Sequence, residues 1–343
     1  MLSMQEISDG AAALVRQAGA TGVLELQAIP GGANNRVFRV RAGGESYFLK
    51  SYARHPDDPH NRLAHDWEFA SFAWDNGLRT VARPLARDNE QLLGLFEFVE
   101  GRRIAPYDID EAIVESTATF FASINQFRGT GRSSSIRNGF AAEYSIDGWL
   151  DAVEGRMTEL GTIAPSSPAS ESALEFVRGT LSPAWQRTRA TVEAMTTAAE
   201  RDALLPRESQ CLSPVDFGFH NVLMRTDGVC IIHDFEYAGW DDPARMVCDF
   251  FCQIQSSAPR EFAGTFLKTA LAGLGDVASI LARATTLWPV FRVLWCCRVL
   301  NDFLPAAVTR QQYAGQPPSE LRKTRQLEMA RMLIERPVDD VPW

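Results

Sequence analysis

The chain has 343 residues, 45% of them hydrophobic and 22% charged, an ordinary globular composition with enough length for two lobes, each with its own core. Its 43 acidic against 34 basic side chains leave a net charge of −9, which disfavours a sequence-independent grip on nucleic acid or on an anionic membrane and points to a small ligand. The opening MLSMQEISDGAAALVRQAGATG has neither the basic start nor the apolar core of a secretory leader; it reads as a short amphipathic helix, and a cytoplasmic protein is expected.

Residues 22–52 alternate apolar and polar positions around glycine-rich breaks and predict three antiparallel strands, with GGANN as a loop between the first two and Lys50 near the end of the third. The segment NRLAHDWEFASFAWDNG places Leu63, Trp67, Ala70 and Trp74 at helical spacing, with Glu68 beside that stripe, and stops at Asn76-Gly77. Two more strands, VARPLAR and QLLGLFEFVEG, lead to Gly101, where the pattern turns mainly helical; this sets a boundary between an N-terminal lobe, 1–100, and a C-terminal lobe, 101–343. Only 210–234 interrupts the later helices, with strands NVLMR and VCIIHDF around Asp227-Gly228. The apolar stretch TTLWPVFRVLWCCRVLNDFLPAAV contains Arg292, Arg298 and Asp302 and predicts a buried helix, not a membrane span. Cysteines 211, 230, 248, 252, 296 and 297 form no CxxC pair and predict reduced core thiols.

Phosphoryl transfer from a nucleotide needs a covering loop, a cation on the α/β-phosphates, oxygen ligands for Mg²⁺ and an acid for the incoming hydroxyl. Candidates occur in that order. Gly31, Gly32, Asn34 and Asn35 can form the loop, Lys50 can reach the phosphates, and Glu68 can pair with Lys50. Asp216 can accept the substrate proton, while Asn221, five residues on, and Asp234, ending an apolar strand, can hold the metal. Taken singly, a strand lysine is a solvated charge, a helix glutamate a surface residue and GGANN a turn. Asp234 differs, because a carboxylate at the end of VCIIH is costly to bury unless it meets a cation or backbone amides.

On Lys50 and Glu68, the D-x-x-x-x-N of Asp216–Asn221 and HDFEYAGWDDPARMVCDF, the chain resembles the aminoglycoside phosphotransferase and choline kinase superfamily over roughly residues 22–255. That resemblance implies an α+β, bilobal protein-kinase-like fold, with a small antiparallel N-terminal sheet and a helical C-terminal lobe. It implies ATP (or GTP) and Mg²⁺ as cofactors and transfer of the γ-phosphate to a small hydroxyl acceptor: a sugar, amino sugar, aminoglycoside or amino alcohol. FEFVEG at 96–101 resembles the hinge, where the backbone of Glu97 and Val99 reads the purine edge. Family loops read H-G-D, whereas Pro214 stands here two residues before Asp216; a silent pseudokinase that binds nucleotide or a protein partner is the rival reading. Asp249 is expected to bond the catalytic-loop backbone and Asp241-Asp242-Pro243 to start a helix; Asp241, Asp242 and Asp302 would suit a cationic acceptor, whereas Arg292, Trp295 and Arg298 at helical spacing could meet a sugar or an anionic group, unless Arg298 simply pairs with Asp302. The expected assembly is a monomer or homodimer.

Overall fold

The computed structural model describes residues 2–30, 35–53, 60–254, 256–315, 319–336 and 340–343. The first helix, α1 (Met4–Gln17), starts at a reciprocal capping pair of Ser3 and Glu6 and buries Ile7, Ala11, Leu14 and Val15 at helical spacing. Strands β1 (Glu25–Ile29), β2 (Arg36–Ala42) and β3 (Glu45–Ser51) follow, then α2 (Arg62–Asp75), β4 (Pro84–Asp88) and β5 (Leu93–Glu97). They form one antiparallel sheet in the order β1-β2-β3-β5-β4. The β2–β3 turn is two glycines with φ of +59° and +86°, the left-handed pair that matches strand twist in a two-residue hairpin. Phe38, Val40, Leu49, Leu93 and Leu95 of this sheet pack with the α1 stripe into a core of their own.

Beyond the sheet, β6 (Gly101–Arg103) pairs instead with a strand of the helical region, Val222–Arg225. That region runs α3 (Glu111–Asn125), α4 (Ile146–Leu160), α5 (Pro168–Phe176), α6 (Ser182–Met195), α7 (Ala198–Asp202), β7 (Cys211–Ser213), β8 (Val222–Arg225), β9 (Cys230–Ile232), β10 (Gly239–Asp241), α8 (Pro243–Cys252), α9 (Ala263–Ala270), α10 (Val277–Val299), α11 (Pro305–Tyr313) and α12 (Glu320–Glu335). The antiparallel sheet β6-β8-β9 and the ribbon β7-β10 are set among these helices and carry the loops of the candidate site. The whole is the bilobal, protein-kinase-like α+β fold.

Helix α10 and the turn after it, Val277–Phe303, make a helical segment long and apolar enough to cross a membrane by length and composition. In the fold, α10 packs among α4, α6, α8 and α12 and buries Leu287, Phe291 and Cys297. All six cysteines are buried and unpaired.

Buried charge organises the start of α8. Asp242 caps the helix through the Ala244 amide and receives Arg283 at 2.7 Å, as the Asp-Asp-Pro sequence leads one to expect. Arg245 bridges Asp241 at 3.3 Å and Asp249 at 3.2 Å. Asp249 also accepts Trp295 Nε1 at 2.8 Å and Arg298 at 2.7 Å, so side chains fill it and the expected bonds to the catalytic-loop backbone are not made. Nor does Arg298 pair with Asp302. The α-helix ends at Val299 and continues as a tighter 3-10 turn, which breaks the one-turn register, and Asp302 takes Arg322 at 2.9 Å instead.

The segment 137–140 is zipped onto 237–240 by Trp240 N to Arg137 O at 3.0 Å, Gly139 N to Trp240 O at 2.7 Å and Phe140 N to Tyr237 O at 2.9 Å. A Cβ on Gly239 would lie 2.5 Å from both Arg137 O and Gly139 N, backbone atoms with no room to retreat. Gly239→Ala is therefore expected to cost roughly 3 kcal/mol, read as a lowered urea midpoint at unchanged m-value.

Candidate active site

Lys50 sits on β3, opposite Val37 of β2 and Gly94 of β5, and is 5% exposed. Its ammonium donates to Asp66 on α2 at 2.5 Å and to Asp234, 184 residues away in sequence, at 2.6 Å. Burial works against that charge, but Asp234, Asp66 and Glu236 outweigh it and hold the lysine protonated. Asp66 also accepts Tyr52 Oη at 2.8 Å and the Phe235 amide at 3.2 Å, which ties the helix to the segment after Asp234.

The expected Lys50–Glu68 pair is not formed. Glu68 instead receives Arg137 in a two-pronged contact at 2.8 and 2.6 Å. The phase of α2 decides this: Leu63, Asp66, Phe69, Ala70 and Ala73 are buried, whereas Trp67, Glu68 and Trp74 are only partly so. Asp66 and Glu68 lie about 200° apart around a helix, so one of them alone can meet β3.

Asp216 follows a turn in which its amide donates to Pro214 O at 2.9 Å across Val215, whose φ is +67°. Such a turn is rare and strained for a β-branched residue, and strain of this kind concentrates at functional loops. The carboxylate is 37% exposed and receives Gln253 Nε2 on Oδ1 at 2.9 Å and His220 Nε2 on Oδ2 at 3.2 Å. Burial raises its pKa, but the charges of His220 and Arg298 and the bonds from His220 and Gln253 prevail and hold it below the usual carboxylate range. Asn221 donates to Asp216 O at 2.9 Å, and its own carbonyl receives the His233 amide at 3.0 Å. One short stretch thus links the Asp216 loop to Asp234.

Asp234 also has a left-handed backbone, φ +68°. Burial raises its pKa, but Lys50 and His233 outweigh this and keep it ionised. Among the described residues, the Asn221 side-chain oxygen and Asp234 Oδ2 accept no hydrogen bond. Two hard oxygen donors left over by the protein fit Mg²⁺, which keeps several waters and takes few protein ligands.

Of the expected nucleotide contacts, Gly31, Gly32 and Asn34 lie outside the described residues. Asn35 is 5% exposed and donates to Glu236, two residues after Asp234. Glu97 ends β5, with its amide on Arg83 O at 2.8 Å, and Val99 lies in the extended link to β6 with no hydrogen bond from its backbone to the described residues. Sequence reasoning missed Asp66 and Gln253. For Asp66 the signal was its helical phase with Phe69 and Ala73; Gln253 offered none, because it reaches Asp216 across 37 residues.

Two histidines pin α2 and the residues just before it to the segment beyond Asp234, His60 Nε2 on Glu236 O and His65 Nδ1 on Ala238 O, both at 2.7 Å. Burial pushes His65 down to about 4. The unfolded chain takes up that proton near pH 6.5 and the folded one near 4, so the stability His65 confers is full above that window and lost as pH falls through it. Between pH 7 and pH 5 wild type is expected to lose stability relative to His65→Gln, which carries no titrating ring, in paired urea titrations.

Similarity to solved structures extends over the whole chain. The spectinomycin phosphotransferase APH(9)-Ia, solved with ADP and spectinomycin, is 13% identical and superposes with a TM-score of 0.66, covering 97% of this chain and 98% of that one. A choline/ethanolamine kinase family protein from Mesorhizobium loti is 18% identical with a TM-score of 0.58, covering 98% and 96%. A shorter similarity, 32% identity over 120 residues, links the chain to the protein nucleotidyltransferase YdiU of Rhodopseudomonas palustris (strain BisB18); it takes in 34% of this chain and under a quarter, 23%, of that relative. The sequence model of the Phosphotransferase enzyme family matches residues 25–288. Because that match runs through both the sheet and the helical region, from Glu25 to Trp288, the chain belongs to the phosphotransferase enzyme family.

Proposed function

We propose that the protein transfers the γ-phosphate of ATP or GTP to a hydroxyl of a small metabolite. The observation that carries this reading is Lys50 held between Asp66 and Asp234 while Asn221 ties the Asp234 strand to the Asp216 loop. Lys50 reaches the α/β-phosphates, Asp216 receives the hydroxyl proton as the new O–P bond forms and the bond to the leaving diphosphate breaks, and Asn221 and Asp234 hold Mg²⁺. The metal, when bound, neutralises charge on the phosphate oxygens. The backbone at Glu97 and Val99 meets the base.

The acceptor is a sugar, amino sugar, aminoglycoside or amino alcohol. Asp241 and Asp242 are fully buried against Arg245 and Arg283, and Asp302 is bound to Arg322. The acids that would suit a cationic acceptor are therefore occupied within the fold, which favours neutral hydroxyl compounds within that set. The test is nucleotide consumption with ATP and with GTP over a panel of hexoses, hexosamines, aminoglycosides, ethanolamine and choline. Phosphate monoester with at least one acceptor supports the reading; nucleotide binding without transfer to any would replace it by a silent nucleotide binder.

A further inference from the structure

We infer that Gln253 and His220 clamp the Asp216 carboxylate from two sides, and that Gly218 is the gap through which both reach it. The inference rests on phosphoryl transfer with Asp216 as proton acceptor, and concerns how that group is aimed.

The resemblance places a histidine two residues before the acid, where this chain has Pro214, so the usual side chain is missing from the loop. The loop also leaves its acid on a strained turn at Val215. Support comes instead from downstream. Gln253 is 3% exposed and ends α8, its amide on Asp249 O at 3.2 Å and its carbonyl receiving Ser257 Oγ at 2.5 Å. Arg245, Trp295 and Arg298 lock Asp249, so the Nε2 that meets Asp216 Oδ1 extends from a fixed helix end. His220 meets the other oxygen from the 3-10 turn that leads to Asn221.

Between them lies Gly218. A Cβ there would stand 3.0 Å from the His220 ring nitrogen Nδ1 and 3.1 Å from Gln253 Cγ, pressing on both clamp members at once. Its φ of −171° is ordinary extended backbone, so glycine is needed here for space and not for conformation. A carboxylate with one fixed donor on each oxygen has a single orientation, and its remaining lone pairs then point in a set direction. Misplacement of a reacting group by about 1 Å can cost roughly a hundredfold in rate. Gln253 and His220 are thus positioning residues acting through Asp216.

Three variants test the clamp: Gln253→Met and His220→Leu each remove one donor at similar bulk, and Gly218→Ala displaces both without deleting a polar group. Transfer to the best acceptor of the panel is measured with the Kd of ADP in the presence of Mg²⁺ by calorimetry. The expected result is kcat lowered roughly 10- to 100-fold in all three, with ADP affinity kept within about twofold. Gln253→Asn, which keeps the amide but shortens its reach, is expected to fall between wild type and Gln253→Met. The clamp is overturned if kcat of Gln253→Met stays within about twofold of wild type, or if kcat and ADP affinity fall together, as general loosening would produce. A wild-type protein that transfers phosphate to no acceptor overturns the clamp and the reading beneath it; transfer that the variants leave untouched overturns the clamp alone.

Discussion

Asp216→Asn is expected to bind nucleotide as wild type does and to turn over at least roughly a hundredfold more slowly. The change keeps the size of the side chain and an oxygen for one of its two donors, while removing the carboxylate proposed to take the hydroxyl proton, a role worth about 10²–10⁴ in rate. Because Asn221 bonds the backbone carbonyl of residue 216 and not its side chain, the arrangement around Asn221 and Asp234 survives the change. Single-turnover transfer with the preferred acceptor, beside calorimetric nucleotide affinity, checks both halves. An unchanged kcat would move the proton-accepting role to another group.

The second large effect concerns the ion pair of Lys50 with Asp66. Lys50→Ala and Asp66→Asn are each expected to remove most of the activity, and the double variant little more, because the role proposed for Lys50 requires Asp66 to hold it. Glu68→Ala should retain turnover within severalfold of wild type. Its contact with Arg137 is partly exposed, with side-chain accessibilities of 40% and 29%, and pairs of that kind contribute about 0–1 kcal/mol. A double-mutant cycle on kcat/KM separates the cases. Additive losses for Lys50 and Asp66, or a loss at Glu68 as deep as at Asp66, would return the pairing to Glu68.

Why Glu68 was the natural choice from sequence, and Asp66 the partner in the fold, is a matter of helical phase. The tryptophans at 67 and 74 dominate the apolar pattern of α2, and a stripe drawn through them puts Glu68 at its edge. In the fold those rings are half-buried on the flank, Trp67 against Phe96 and Trp74 under Arg79, and the deep face runs through Leu63, Asp66, Phe69 and Ala73. Large aromatic rings cover surface beside a helix's core line, so they fix its phase poorly. The hairpin of β2 and β3, Lys50 on it and the D-x-x-x-x-N loop were legible because each depends on local pattern. The partners of Asp249 and Asp216 were not: Trp295, Arg298 and Gln253 come from elements separated by 46, 49 and 37 residues, and helix packing brings them together.

The six interior thiols have a consequence for handling the protein. Each is at most 2% exposed, and burial raises the pKa of every one of them, which starves alkylating reagents of both access and thiolate. Cys211 and Cys230 lie on strands that flank the Asp216 and Asp234 loops, Cys248 and Cys252 on α8, and Cys296 and Cys297 on α10. Iodoacetamide uptake therefore times the opening of the helical interior, each carbamidomethyl group of 57 Da or so marking one site in a mass spectrum. The sheet packed on α1 contains no cysteine, so its own opening leaves no such mark.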